Sequence, residues 1–198
     1  MRILLTAFEP FGGEDTNAAL EAVQRVSAPA GVELERCTVP TVFGRCTETV
    51  LDAVRCFGPD VVVCVGQAAG RAAITPERVA INVREARIPD NAGWQPFNEP
   101  VDPDGPAAYF SRLPIHAIRD AIQSVGVPAA ISDTAGTFVC NDLMYGLLRA
   151  IETEFPAMRG GFIHVPCTPQ QAETRMPPLP SLPIEDTVRG LEAALTVL

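Results

Sequence analysis

Residues 60–66 read Asp60-Val61-Val62-Val63-Cys64-Val65-Gly66, an unbroken apolar run between Gly58-Pro59 and a glycine. Successive side chains of a strand point to opposite faces, so a continuous apolar run predicts a strand, Asp60 to Val65, covered on both sides. Working outward, further strands are expected at Arg2 to Phe8, Val32 to Val39, Val79 to Val83, Ala129 to Asp133 and Gly161 to Val165. Between them apolar residues recur at helical spacing. Cys46, Val50, Ala53 and Phe57 stop at Gly58-Pro59, a helix-ending glycine followed by a breaker. Ile115, Ile118, Ile122 and Val125 end at Gly126, Leu143, Leu147, Ile151 and Phe155 end at Pro156, and Ile184, Val188, Leu191 and Leu195 form the last stripe. Strands alternating with helices predict an α/β fold, a three-layer α/β/α arrangement around an open, mostly parallel twisted sheet.

The chain has 198 residues, 47% apolar and 20% charged, which suits one domain over residues 1–198 and is short for two. Two stretches break the rhythm. Residues 88–106 carry five prolines among Asp, Asn and Gly and read as a lid or subunit contact; residues 176–183 carry four and read as a flexible arm.

Fifteen basic residues against 24 acidic ones give a net charge of -9, and all fifteen are arginine. An acidic surface repels phosphate backbones and anionic lipid, so neither nucleic acid nor a membrane is expected as a partner. No apolar run approaches about 20 residues, and structure begins directly after Met1-Arg2, which reads as a soluble, cytoplasmic protein. The six cysteines (37, 46, 56, 64, 140 and 167) show no two-residue spacing, and there are only two histidines, so no metal is expected and the thiols should be free. Phe11-Gly12-Gly13 and the glycines at 66 and 70 lack phosphate-loop spacing, and a chain without lysine has no Walker lysine.

In an open α/β sheet, ligands gather at the carboxyl ends of strands. Three reactive side chains fall there. Cys140 follows Thr134-Ala135-Gly136-Thr137 and precedes the Leu143 helix. A thiol at a helix N-terminus meets unpaired N–H groups and the positive end of the dipole, which favours thiolate and can hold an oxyanion. A buried inert thiol is the other reading, and is the one taken for Cys37, Cys46, Cys56, Cys64 and Cys167. His164 lies near the end of Gly161 to Val165, where a histidine is either a core residue or a base for a nearby thiol; His116, within a helical stripe, is a weaker rival. Glu77, beside Arg78 in Ile74-Thr75-Pro76-Glu77-Arg78, reads as a surface ion pair or as the group that fixes an imidazole.

Four stretches, Phe8-Glu9-Pro10-Phe11-Gly12-Gly13, Ile74-Thr75-Pro76-Glu77-Arg78-Val79-Ala80-Ile81-Asn82, Thr134-Ala135-Gly136-Thr137-Phe138-Val139-Cys140-Asn141 and Gly161-Phe162-Ile163-His164-Val165-Pro166, resemble in order the motifs of the pyrrolidone-carboxylate peptidases, a cysteine-peptidase family also called pyroglutamyl peptidase I. The resemblance runs to about Gln171. It implies a cytoplasmic hydrolase that removes N-terminal pyroglutamate from peptides, without a cofactor, as a homotetramer or homodimer on an α/β/α fold. Carried over motif by motif, it implies Cys140 as nucleophile, His164 as general base and then acid, and Glu77 as the orienting carboxylate. It places Phe8 and Phe11 against a flat lactam ring, Asn17 and Gln67 as polar contacts, and Arg87 in a steering or subunit role. The phenylalanines could equally be core, and Asn17 the N-cap of a helix over Ala18 to Val26.

The sequence departs from the family pattern at Ala18, Asp142 and Cys167, where proline, histidine and an aromatic residue are common. Asp142, two residues after Cys140, would raise the thiol pKa if it points inward. Two other functions remain compatible with the fold: a nucleoside- or phosphate-binding enzyme, and a catalytically silent protein that binds pyroglutamyl compounds.

Overall fold

Val61 to Val65 are buried throughout and lie in a strand with a neighbour on each side. The computed structural model describes residues 1–173 and 176–198. In chain order the elements are β1 (Arg2–Phe8), α1 (Ala18–Arg25), β2 (Glu33–Val39), α2 (Arg45–Phe57), β3 (Val61–Gln67), β4 (Thr75–Pro76), β5 (Val79–Ile81), β6 (Ala108–Phe110), α3 (Ile115–Ser124), α4 (Val139–Thr153), β7 (Arg159–Val165), α5 (Pro169–Glu173) and α6 (Ile184–Leu195). The main sheet has the order β2-β1-β3-β7-β4, parallel except for β4, which runs antiparallel to β7 at the edge.

Strand alternation divides the core in two. Odd-numbered side chains, Ile3, Leu5, Val61, Val63, Ile163 and Val165 among them, pack with residues of α1, α3 and α6. The even-numbered Leu4, Phe8, Val62, Cys64 and Phe162 pack with α2 and α4. Each fully buried aliphatic side chain of this kind contributes about 1.5–3 kcal/mol. The three-layer arrangement expected from the sequence is therefore present, and in β1, β3 and β7 the even positions near the strand end lie on the face that α4 covers.

Helix ends follow local chemistry. Asn17 caps α1 by accepting from Ala19 N–H, and Gly58 ends α2 in the left-handed conformation (φ 63°), its N–H bonded to Val54 O.

Several expectations need correction. Ala129 to Asp133 is not a strand: it touches the β4 region only through bridges at Ile74–Ala129 and Glu77–Ser132. Proline at 76 has no N–H to extend that ladder. Val79 to Val83 shortens to β5, which leaves the main sheet and pairs antiparallel with β6. Residues 88–106 are stitched to the body: Asp90 accepts from the N–H groups of Phe43, Ala92 and Trp94, Arg84 bridges Glu99, and Asn82 bonds Asp102 in both directions. In this conformation they lie against the body as a wall. The expected arm over residues 176–183 is anchored at its end, where Leu182 is buried and donates to Cys167 O.

The two helices over the even face approach closely at Gly146. A Cβ there would lie 2.5 Å from Thr47 Cγ2 and 2.6 Å from its hydroxyl oxygen. Gly146→Ala should gain about 1 kcal/mol of helix propensity yet lower stability by about 1–2 kcal/mol net in urea unfolding, through overpacking. The Thr47→Ala, Gly146→Ala double variant should recover that loss; a single variant as stable as the parent would contradict the close α2–α4 contact.

Candidate active site

Register places the candidate residues side by side. Ala7 pairs with Val65 and Gly66 with His164, so Phe8, Gly66 and His164 form a row at the carboxyl ends of β1, β3 and β7, on the α4 face. The N-terminus of α4 ends over this row, with Cys140 as its second residue.

Gly66 makes room for the sulfur. A Cβ at this position would stand 2.8 Å from the Phe162 ring and 3.2 Å from Cys140 Sγ. Only a bare backbone lets the thiol and the ring settle together on the sheet surface. Phe162 in turn packs on the imidazole of His164, with ring centroids 4.7 Å apart.

Glu77 arrives through the short antiparallel strand. Thr75 pairs with His164, and Glu77 N–H donates to Phe162 O, so the carboxylate lies on the same face as the imidazole. His164 Nδ1 is 2.7 Å from Glu77 Oε1; Glu77 is fully buried and His164 only 4% exposed. A hydrogen bond to an ionised carboxylate puts the proton on Nδ1 and leaves Nε2 as the acceptor. Glu77 is thus no surface ion pair. Arg78, its sequence neighbour, turns away to Asp133, and the cation on Glu77 is Arg71, whose Nη1 is 2.5 Å from Oε1. Arg71 escaped the sequence reading, although a buried carboxylate requires a cation nearby and Arg71 lies only six residues ahead.

Electrostatics at the thiol run against the expectation of a ready thiolate. Burial pushes the Cys140 thiol up to about 12, and the Glu77 carboxylate adds to the rise; Arg71 and the backbone N–H of Cys140 act in the opposite sense without overcoming it. Desolvation outweighs the helix end. Burial also lowers the His164 imidazole below its ordinary 6.5, against the hydrogen bond and charge of Glu77, with Arg71 adding to the lowering. Both directions favour the neutral thiol and the neutral imidazole near pH 7. Among the described residues Cys140 Sγ makes no hydrogen bond, to His164 or to any other side chain.

Asp142 does not act on Cys140. Its Oδ1 takes a 2.5 Å bond from Arg84 Nε, and its Oδ2 accepts from Gly44 N–H and the Cys46 thiol. The thiol it helps push up, after burial, is Cys46. Beside it Asn141, also buried, bonds Ile81 N–H, Ile81 O and Val83 O, so two successive side chains fasten the α4 N-terminus to the β5 segment.

The remaining expected residues divide. Phe8 is buried with its centroid 6.3 Å from that of Phe162, and Phe11 is half-buried against Phe138 at 6.2 Å. The side chains of Asn17 and Gln67 are committed inward. Asn17 caps α1 and donates to Glu9 O; Gln67 Oε1 accepts from Ala18 N–H and Gln171, while its amide donates to the Cys167 sulfur at 3.6 Å. Arg87 is exposed and, among the described residues, has no ion-pair partner. His116 is exposed on α3, away from these groups in sequence and layer. Of the cysteines expected to be buried and inert, Cys46, Cys64 and Cys167 are buried, but Cys56 is exposed and Cys37 half-buried. Cys56 sits in the last turn of an amphipathic helix whose outer side faces water.

The sequence profile of the pyroglutamyl peptidase family matches residues 1–198. The chain belongs to the pyroglutamyl peptidase family. It is 51% identical over 199 residues to the pyrrolidone-carboxylate peptidase of Levilactobacillus brevis, covering 100% of this chain and 97% of that one. The same enzyme of Streptomyces coelicolor is 53% identical over 196 residues, covering 98% and 90%. The crystal structure of Bacillus amyloliquefaciens pyroglutamyl peptidase I superposes with a TM-score of 0.95 at 47% identity, over 99% of this chain and 95% of that one. The protein is accordingly an enzyme of the pyroglutamyl-peptidase type, a cysteine peptidase.

Two outcomes follow from the geometry of this family member. Gly66→Ala should leave the fold intact but displace the thiol and the Phe162 ring, lowering kcat/KM about 100-fold; unchanged turnover would contradict the close approach. Iodoacetamide at pH 7, followed by peptide mapping, should label exposed Cys56 before Cys140, with Cys140 labelling rising steadily into alkaline pH. Cys140 reacting first at neutral pH would mean a preformed thiolate.

Proposed function

We propose that this enzyme removes the N-terminal pyroglutamyl residue from peptides by acyl transfer through Cys140, His164 and Glu77. The observation that carries the reading is the buried 2.7 Å contact between His164 Nδ1 and Glu77 Oε1, beneath the helix end that bears Cys140.

The steps follow from the protonation states. Cys140 Sγ attacks the pyroglutamyl carbonyl carbon as its proton passes to His164 Nε2, so no free thiolate precedes the attack. Glu77 stabilises the imidazolium that forms. The first N–H groups of α4 hold the oxyanion. Those of Asn141 and Asp142 bond back to Phe138 O, which leaves Val139 and Cys140 as donors. As the tetrahedral intermediate collapses, His164 gives its proton to the departing amine and a thioester remains. Water, losing a proton to His164, then cleaves the thioester, and the thiol is regenerated.

A lactam has no ammonium group, so its pocket requires flat apolar walls rather than a carboxylate. Phe8 and Phe11 supply them. Asn17 and Gln67, with their side chains engaged in the protein, shape that wall by holding the segment between β1 and α1. Arg87 adjoins Ile88, whose side chain reaches Gly12 of the same segment, and steers the peptide from the rim. The whole chain acts as one domain. Six free thiols suit a reducing cytoplasm, and no helix among the described residues is long and apolar enough to cross a membrane. The exposed rings of Phe97 (79% exposed), Phe110 (69%) and Trp94 support self-association as a homodimer or homotetramer.

Release of a fluorophore from a pyroglutamyl amide under reducing conditions tests the proposal. Cys140→Ala and His164→Ala should fall by about 10⁴ or more in kcat, Glu77→Gln should retain more activity than either, and Cys167→Ala should stay active. Because His164 must be neutral to take the proton and burial lowers its pKa, the acid limb of kcat/KM should lie below pH 6.5. Turnover surviving in Cys140→Ala would remove the nucleophile; a Glu77→Gln variant as inactive as Cys140→Ala would remove the orienting role.

A further inference from the structure

We propose that Arg71 is a positioning residue of this site, holding the Glu77 carboxylate toward the imidazole and tying it to the loop that leads into Cys140. The inference rests on the reading of Cys140, His164 and Glu77 given above. One guanidinium makes three contacts: Nη1 to Glu77 Oε1 at 2.5 Å, Nη1 to the Thr75 hydroxyl, and Nη2 to Thr134 O at 3.1 Å. Thr75 also donates to His164 O at 3.5 Å. The arginine therefore joins the strand that carries Glu77, the strand that carries His164 and the segment ahead of α4.

Among the described residues the carboxylate has no other side-chain partner. Glu77 is fully buried, its Oε2 has no hydrogen-bond partner among them, and Oε1 is shared between His164 Nδ1 and Arg71. Without the cation, the orientation of the carboxylate toward Nδ1 would rest on the imidazole contact alone. Arginine suits the position because its planar fork holds two nitrogens apart, Nη1 toward Glu77 and Thr75 and Nη2 toward Thr134 O, which the single nitrogen of an ammonium does not reproduce.

Arg71 also opposes Glu77 electrostatically at both reacting groups. Among the described residues, the titratable and charged groups acting on His164 and Cys140 are Glu77 beside β4, Arg71 from the β3–β4 connection and, on Cys140 alone, Cys64 of β3. Glu77 favours the imidazolium and disfavours the thiolate, while Arg71 does the reverse. The two residues must therefore move the pH profile in opposite directions, and a variant that keeps the charge but loses the fork separates positioning from charge alone.

The test is the pH dependence of kcat/KM for the parent, Arg71→Met, Arg71→Lys and Glu77→Gln. It is paired with NMR titration of the imidazole in a His116→Gln background, where His164 is the only histidine left. Arg71→Met should move the acid limb and the imidazole pKa upward by about one pH unit. Glu77→Gln should move both downward. Arg71→Lys should keep the limb near its parent position but lower kcat about tenfold, because the charge remains and the fork does not. If Arg71→Met does not fold, Arg71→Lys decides, and a parental kcat there overturns the proposal. An Arg71→Met limb at the parental pH, with Glu77→Gln shifted, also overturns it and leaves the Cys-His-Glu reading standing. No shift in either variant overturns both.

Discussion

Burying the Glu77 carboxylate is the constraint on which the site depends. An ion removed from water at this depth carries a penalty of several kcal/mol unless charge and hydrogen bonds offset it. The fold meets this with a two-residue antiparallel strand that lays Glu77 along β7, an imidazole at 2.7 Å and a guanidinium at 2.5 Å. That arrangement fixes the tautomer of His164 and the face of β7 from which its other nitrogen points. Parity does the rest: Phe8, Gly66 and His164 share one side of the sheet, and α4 is the helix that covers it.

The helix end does not by itself activate the thiol. Cys140 lies in the first turn of α4, where dipole and N–H groups favour negative charge, but it is also half-buried against Phe162 and Gly66 near a carboxylate. Desolvation is the larger effect. In the proposed mechanism a neutral pair makes proton transfer part of the attack, and the donors at the helix end act on the oxyanion rather than on the resting sulfur. Asp142 illustrates how burial with a partner removes a charge from consideration. Paired with Arg84 and bonded to Gly44 N–H, it anchors α4 and leaves Cys140 alone.

The layered fold was readable because its evidence is periodic. The β3 run, the alternation between faces and the helical stripes ending at Gly58 and Gly126 all follow from local spacing. Cys140, His164 and Glu77 could be singled out as candidates because strand ends and helix starts are themselves local features. What escaped detection is short or distant. A strand of two residues, such as β4, has no period, and neither does the three-residue β6, so nothing local showed that β5 leaves the main sheet to pair with it. The bond from Arg71 to Glu77 exists only because the chain returns to the edge of β7, so proximity to Arg78 suggested the wrong partner. The direction of Asp142 depends on Arg84, 58 residues away. The exposure of Cys56 depends on which side of α2 faces β2. Side-chain direction of this kind is a property of packing and not of spacing.

The account turns on a covalent bond to Cys140. Rapidly quenching the enzyme during turnover of a pyroglutamyl amide, then measuring intact mass and mapping the modified peptide, tests that bond directly. The account predicts a transient gain of one pyroglutamyl acyl group on the peptide containing Cys140, lost on standing and absent from Cys140→Ala. An adduct on another residue, or full turnover by a Cys140→Ala protein that never gains the acyl mass, would contradict it.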